Sequence, residues 1–338
     1  MQAPAVPNTE PRLLAQCLTR RAALAAISAA VAMSARAQGT YPSRPVRLVV
    51  PFPPGGLNDT VARLLADALQ TELRQTVIVD NRAGAAGLIG TQAVAEAPGD
   101  GYTVLVTSTS NHVLAPLTQK GARVDPARDL QPVVLALRTV GLLVVPNDLP
   151  VRTLAEFVAF ARARPGQLNY ASSGVGSANH VLTERFRSLA GIAITHVPYR
   201  GGGPLMNAVM AGEVQFALMD YATAEPALKS RRARALAQTG TRRHTALADV
   251  PTLSEAGYTD YDPSFWIGLA APKSVPAEVV AALNAATQRA LAQTALKARA
   301  QAFGWTLIGG PPSTLSDTVS REIAAYQAVV RGLDLDRQ

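Results

Sequence analysis

The sequence is poor in the residue types that mark many function classes. Its 338 residues include one cysteine, Cys17. That residue precedes the first apolar run, so the chain beyond it can form no disulfide and has no thiol nucleophile. Its stability in an oxidising compartment must come from packing. Aromatic residues make up 5% of the chain and charged residues 17%. No stretch of about 20 apolar residues is present to span a bilayer. The segment Gly174-Val175-Gly176-Ser177 follows neither the G-x-G-x-x-G nor the G-x-x-x-x-G-K-[ST] pattern, so a dinucleotide or P-loop site is unsupported and no cofactor is implied. Ser173 lacks a surrounding G-x-S-x-G, and no hydrolase acid/base partners are evident. Of the four histidines, His112, His180, His196 and His244, only His180 has a carboxylate one helical turn away, Glu184. Half a metal site with no second pair reads as a surface or packing pair.

Charge adds little specificity. The formal net charge is +8. Residues 1–37 hold Arg12, Arg20, Arg21 and Arg36 against Glu10, leaving 28 basic and 23 acidic residues, or +5, beyond them. The basic cluster from Lys229 to His244 has no interleaved aromatics. It reads as a solvated surface rather than a nucleic-acid face.

What is present begins with an export signal. Arg20 and Arg21 open a run of small apolar residues, Ala22 to Ala35, that ends in Ala35-Arg36-Ala37. Residues 1–37 therefore read as a cleaved signal peptide for the periplasm, with Sec and Tat export both open. The remaining chain, within a sequence 48% hydrophobic, is long enough for one large domain or two ordinary ones.

Strand-like and helix-like segments then alternate. Val46–Phe52 is a continuous apolar run, the mark of a strand covered on both faces. The helix after Asn58 places Val61, Leu64, Leu65 and Ala68 on one stripe. Strands at 76–81 and 101–110 continue the βαβ pattern, which implies parallel pairing. A long extended stretch, 130–147, follows without a helix, and the alternation restarts at 153. A second extended stretch, 265–272, precedes helices at 276–302 and 313–331. Passages near 135–145 and 262–270 predict two lobes: 41–140 with 265–338, and 141–264. Hinged lobes of this kind close around a ligand.

Two loops stand out. Pro51-Phe52-Pro53-Pro54-Gly55-Gly56 runs into the first helix, and Ser172-Ser173-Gly174-Val175-Gly176-Ser177 sits between a strand and a helix in the middle of the chain. Ligands of open α/β sheets bind beyond the carboxyl ends of the strands, and helix starts offer free N–H groups to anions. Both loops lack Lys and Arg, so a carboxylate would be gripped by neutral donors. Asp59, and equally Asn58, would serve as helix caps.

Beyond these patterns, the chain resembles the Bug family of periplasmic solute receptors, the binding components of tripartite tricarboxylate transporters. The matching blocks include YPSRPVRLVVPFPPGGLNDTVARLLA, LNYASSGVGSANHVLTERF, THVPYRGGGPLMNAVMAGEVQFALMD and WIGLAAPKSVP. With others they cover nearly all of residues 41–335. The resemblance implies an α/β, type II periplasmic binding (Venus flytrap) fold, each lobe a mostly parallel sheet flanked by helices. It implies a monomeric, non-enzymatic receptor that delivers a small organic acid to a membrane permease. It also places Phe52, Gly55, Gly56, Asp59 and Thr60 in the first half of a carboxylate pincer, and Ser172, Ser173, Gly174 and Ser177 in the second. Arg200, Gly201 and Gly202 would edge the cleft, and Asp220 would face the variable end of the ligand. Ala83 stands where the family commonly has proline, which loosens a turn at the cleft mouth. A periplasmic enzyme acting on a small acid, or a sensor with a signalling partner, are the alternatives. Trp266 is open to either core packing or stacking on a ligand.

Overall fold

The computed structural model describes residues 41–119, 121–259, 261, 263 and 265–332. The expected signal peptide and Cys17 lie outside the described residues.

Strand β1 (Val46–Val50) buries four of its five side chains, as a run of apolar residues between two covered faces must. Helix α1 (Leu57–Leu73) follows, with Val61, Leu65, Ala68 and Leu69 buried. Leu64, expected on that stripe, is only half-buried. Next come β2 (Val77–Asn81), α2 (Leu88–Ala95) and β3 (Thr103–Ser108). A π-helical turn, Thr109–Leu114, leads into α3 (Ala115–Thr118), then α4 (Pro126–Asp129) and β4 (Leu130–Thr139). The extended stretch at 130–147 is thus two strands, because the chain leaves one sheet after Thr139 and enters another as β5 (Gly141–Pro146).

The second sheet adds α5 (Leu154–Arg162), β6 (Leu168–Ser172), α6 (Ala178–Ala190), β7 (Ile194–Pro198), α7 (Gly202–Ala211), β8 (Phe216–Asp220), α8 (Tyr221–Lys229) and β9 (Ala233–Gln238). The chain returns through β10 (Phe265–Pro272), α9 (Ala277–Ala292), α10 (Thr294–Ala302), β11 (Trp305–Leu307) and α11 (Pro312–Gly332). Because β10 lies wholly in the first sheet, the second passage falls upstream of the position expected from sequence. The helix expected at 276–302 breaks at Gln293, whose backbone is extended (φ −63°, ψ 135°). Its side chain donates to Ala68 O at 3.2 Å and Glu72 Oε1 at 2.9 Å, anchoring the break to α1.

The strand orders are β11-β4-β10-β3-β1-β2 and β7-β6-β8-β5-β9, giving two α/β lobes. The sheets are mixed rather than mostly parallel. Pairing is parallel where crossover helices intervene, in β2–β1–β3 and β7–β6–β8. It is antiparallel where β10, β4, β11, β5 and β9 join. Only parallel neighbours require a crossover; the passing strands enter without one. The second lobe is held by a stacked aromatic core, with Phe216 4.7 Å from Phe157 and 5.5 Å from Phe186. Each such buried ring contributes roughly 1.5–3 kcal/mol by burial. The basic cluster at 229–244 is tied into its own lobe: Lys229 pairs with Glu225, Arg243 with Glu255, and Arg234 donates to Val151 O and Asn147.

Candidate functional site

The loop after β1 leaves the start of α1 open. Gly55 has φ +89° with nothing within 4 Å of the place a Cβ would occupy. Gly56 is the N-cap and brings no side chain to bond the first-turn amides; in a helix those N–H groups have no intrahelical acceptor. Asp59 does not fill the gap. Its carboxylate faces backward, accepting from Gly55 N at 3.0 Å, from Arg63 Nε and Nη2 at 2.9 Å each, and from Asn81 Nδ2 at 3.0 Å. Burial alone would raise its pKa, but the bonds from Arg63, Gly55 and Asn81 outweigh that and hold it below the ordinary carboxylate value. Thr60 Oγ1 donates to Gly56 O at 3.1 Å. Both residues therefore shape the loop from behind.

The serine-rich loop of the second lobe is used differently from expectation. Ser172 Oγ lies 2.6 Å from His196 Nε2 and accepts from Gly174 N at 3.1 Å. Gly176 N donates to His180 Nδ1 at 3.1 Å, and the Ser177 side chain caps α6 by accepting from His180 N. Ala178 N donates to Ser110 Oγ of the other lobe at 3.0 Å. Two of the first three amides of α6, those of Ala178 and His180, are thus bonded, and the loop turns Ser173 toward the cleft, donating to Asn179 Oδ1 at 2.6 Å. Beneath the loop, the rings of His180 and His196 stack at 4.0 Å. Glu184 is buried and bonded to the Tyr170 hydroxyl and to Arg187, so His180 and Glu184 are packing residues. Among the described residues no metal-type cluster occurs.

The open helix start opposite Gly56 is that of α7. Gly202 N lies 3.6 Å from the position of a Gly56 Cβ. Gly201, at φ +102°, is the N-cap without a side-chain bond. Pro204 has no N–H to satisfy, and Leu205 N already bonds Gly201 O, so Gly202 and Gly203 carry the free amides. Between the lobes lies a cavity of about 50 Å³. Gly56–Asn58 and Gly202 line it from the two helix starts, Ser108–Ser110 from the end of β3, Ser173 and Asn179 from the α6 region, and Trp266 from β10. No Lys or Arg reaches it. The Asn58 Oδ1 atom is buried without a hydrogen-bond partner. Asp220 also lines the cavity, but its oxygens are bound by Thr223 N at 2.9 Å and Thr223 Oγ1 at 2.8 Å. Burial raises its pKa, and the Thr223 bonds work against that rise. Trp266 is both core and wall: it is fully buried, its Nε1 donates to Glu322 Oε2 at 2.8 Å, and it lines the cavity.

A wider groove of about 490 Å³ lies alongside, sharing Phe52, Pro53 and Ser173 with the inner cavity. The residues singled out in the sequence therefore fall into three groups. Phe52, Gly56, Ser173, Gly202 and Asp220 line the inner cavity. Gly174, Arg200 and Gly201 line the outer groove, together with Phe52, Ser173 and Ala83. Gly55, Asp59, Thr60, Ser172 and Ser177 line neither and act as supports. Sequence reasoning missed Ser108–Ser110, Asn179, Leu205 and Thr223. The signal was there: Thr-Ser-Thr-Ser-Asn follows an apolar strand, where the same rule about carboxyl ends of strands applies. The lobes are closed in this arrangement, with Gln119 Nε2 donating to Val175 O across the cleft at 2.9 Å.

Known proteins share this family and fold. Residues 61–333 match the family described as tripartite tricarboxylate transporter family receptor. The chain is similar to Rpa4515 of R. palustris, solved with adipate, at 35% identity and TM-score 0.84 over 86% of this chain and 97% of that one. It is similar to MatC of Rhodopseudomonas palustris, solved with malate, at 32% identity and TM-score 0.83 over 86% and 100%. It is also similar to the periplasmic binding protein BugD, at 29% identity and TM-score 0.83 over 87% and 99%.

Proposed function

This chain belongs to the tripartite tricarboxylate transporter receptor family, and from that premise we propose that it captures a small carboxylate between its lobes and passes it to a membrane permease in the periplasm. The observation that carries this reading is the pairing of two uncapped helix starts, at Gly56 and Gly202, on one cavity without cations. Amide hydrogens and helix dipoles favour an anion there, and neutral donors release it more readily than a salt bridge does. The relatives solved with adipate and malate support the acid class. The lobes, taken as 41–140 with 265–338 and 141–264, rotate about the passages between the sheets. Closure is driven by contacts that need both halves, among them Ala178 N to Ser110 Oγ and Gln119 to Val175 O. Residues 1–37 direct export and are removed.

The test is thermal denaturation with a panel of mono- and dicarboxylates. A cognate acid at a hundredfold excess over Kd stabilises by about 2.7 kcal/mol and is recovered unchanged. A panel that leaves the melting temperature untouched refutes the reading, and an acid consumed on incubation makes the protein an enzyme instead.

A further inference from the structure

The far end of the first lobe carries a charged cavity that the cleft does not use. Strand β3 points its carboxyl end, Ser108, at the inner cavity, and β10 runs antiparallel to it. The turn after β10 and the start of β4 therefore lie at the opposite end of that sheet, roughly 15–20 Å away for a six-residue strand. There a cavity of about 340 Å³ opens, with no residue in common with the inner cavity or the outer groove. Two of its cations, Arg123 and Lys273, are exposed and have no ion pair or side-chain hydrogen bond among the described residues. Their backbones are fixed. Gln131 Nε2 donates to the carbonyls of Pro272, Lys273 and Val275 at 3.0, 3.3 and 2.7 Å, and Val124 is buried beside Leu88 and Ala115. The other charges are engaged locally: Arg128 Nε and Nη2 bond Asp129 at 2.7 and 3.0 Å, and Glu96 Oε1 accepts from Gln92 Nε2 at 2.7 Å. Three cations against two carboxylates leave a single positive charge.

We propose that this cavity is a second anion site, taking a singly charged glycerophosphodiester of the kind that heads a phosphatidylglycerol lipid, so that the first lobe rests on a membrane surface. The two phosphate oxygens that carry the charge face Arg123 and Lys273, each of which donates charge-assisted hydrogen bonds. A glycerol hydroxyl donates to the second oxygen of Glu96, the same carboxylate that repels a doubly charged phosphate. The site is independent of the cleft. Only its use, keeping the receptor close to a membrane permease, rests on the carboxylate-receptor reading.

Sedimentation of the mature chain with vesicles of equal parts phosphatidylcholine and phosphatidylglycerol, against vesicles of phosphatidylcholine alone, tests this. The chain should sediment with the mixed vesicles only. Arg123→Gln and Lys273→Gln should each weaken partitioning roughly fivefold, the scale for one basic residue at an anionic membrane surface. Arg152→Gln, the same charge change at an exposed residue of the other lobe, should leave it unchanged. Glycerophosphoglycerol, the soluble headgroup, should release the chain from the vesicles, whereas acetate at equal ionic strength should not. The proposal is overturned if mixed vesicles fail to retain the wild type, if Arg152→Gln costs as much as the cavity substitutions, or if acetate competes equally. Calorimetric binding of glycerophosphoglycerol without vesicle retention would make the source a soluble diester and overturn the membrane contact. Both cavity variants should keep the thermal shift given by the carboxylate panel, so a failure here leaves the carboxylate reading standing, and an absent thermal shift leaves this site untouched.

Discussion

Acidification is expected to destabilise the folded chain through His112. This residue lies on the turn Thr109–Leu114 and is buried, with Nδ1 2.8 Å from Thr107 Oγ1 and its ring 6.4 Å from that of Trp266. Burial disfavours the imidazolium and lowers its pKa from 6.5 to about 4. The unfolded chain takes up the proton below about pH 6.5, whereas the folded chain takes it up only near pH 4. Stability is therefore full above pH 6.5 and falls as the pH drops through that window. A gap of this size corresponds to about 3 kcal/mol, a large part of the 5–15 kcal/mol typical of a folded domain. Urea denaturation at intervals from pH 7.5 to 4, on wild type and His112→Gln, isolates the effect, because other titrating groups are common to both. The wild-type profile should fall about 3 kcal/mol further than that of the variant. Parallel profiles would refute the argument that a neutral, buried imidazole is retained in the fold. The same turn carries Ser110, which receives the Ala178 amide, so the ligand affinity of the folded chain should hold down to about pH 5 and decline only near pH 4, where His112 itself takes up the proton.

Three substitutions probe the site itself. Gly56→Val should abolish the ligand-induced thermal shift with little change in the melting temperature of the free protein. The backbone there is extended (φ −96°, ψ 179°) and tolerates a branched residue, but the added methyl groups enter the space against Gly202; retained binding would place the anion elsewhere. Ser110→Ala leaves Ala178 N–H without its acceptor on closure, at about 1–3 kcal/mol, so Kd by calorimetry should rise roughly tenfold; an unchanged Kd would exclude this bond from the closed state. Asp59→Asn turns an amide N–H toward the donors of Gly55, Arg63 and Asn81, and should cost about 2–3 kcal/mol of stability in urea denaturation. A neutral effect would show that the loop needs no such brace.

The alternation of apolar strands with amphipathic helices was legible in the sequence because each element advertises its own period, and so was the open turn at Gly55-Gly56; Gly201 and Gly202 entered only as the cleft edge that the family resemblance implies. Sheet direction was not. The neighbours of β10 are β3 and β4, more than a hundred residues earlier, and nothing local to Phe265–Pro272 reports that pairing. The wiring of the serine loop was not legible for a related reason. Its amides look free in sequence, but Ser110 arrives from the other lobe to take that of Ala178 at the helix start, and the His180 ring takes that of Gly176 in the loop. Ser108–Ser110 were read as the tail of a strand because Thr and Ser suit extended chain. The structure turns them at Thr109 into a helical segment whose cap, Ser108, bonds Asn111. The Asp59 carboxylate shows the limit from the other side: the residue type fits a ligand site or a cap, and only the position of Arg63 and Asn81 decides between them.

The measurement that bears most directly on the account is an amide-resolved NMR titration of the mature chain with whichever carboxylate of the panel raises its melting temperature most. Backbone hydrogens of Leu57, Asn58, Gly202 and Gly203 should move furthest downfield and together, with one shared affinity, as the two helix starts take hold of the same carboxylate. Shifts confined to one lobe, or centred on arginine side chains while these four amides stay still, would contradict it.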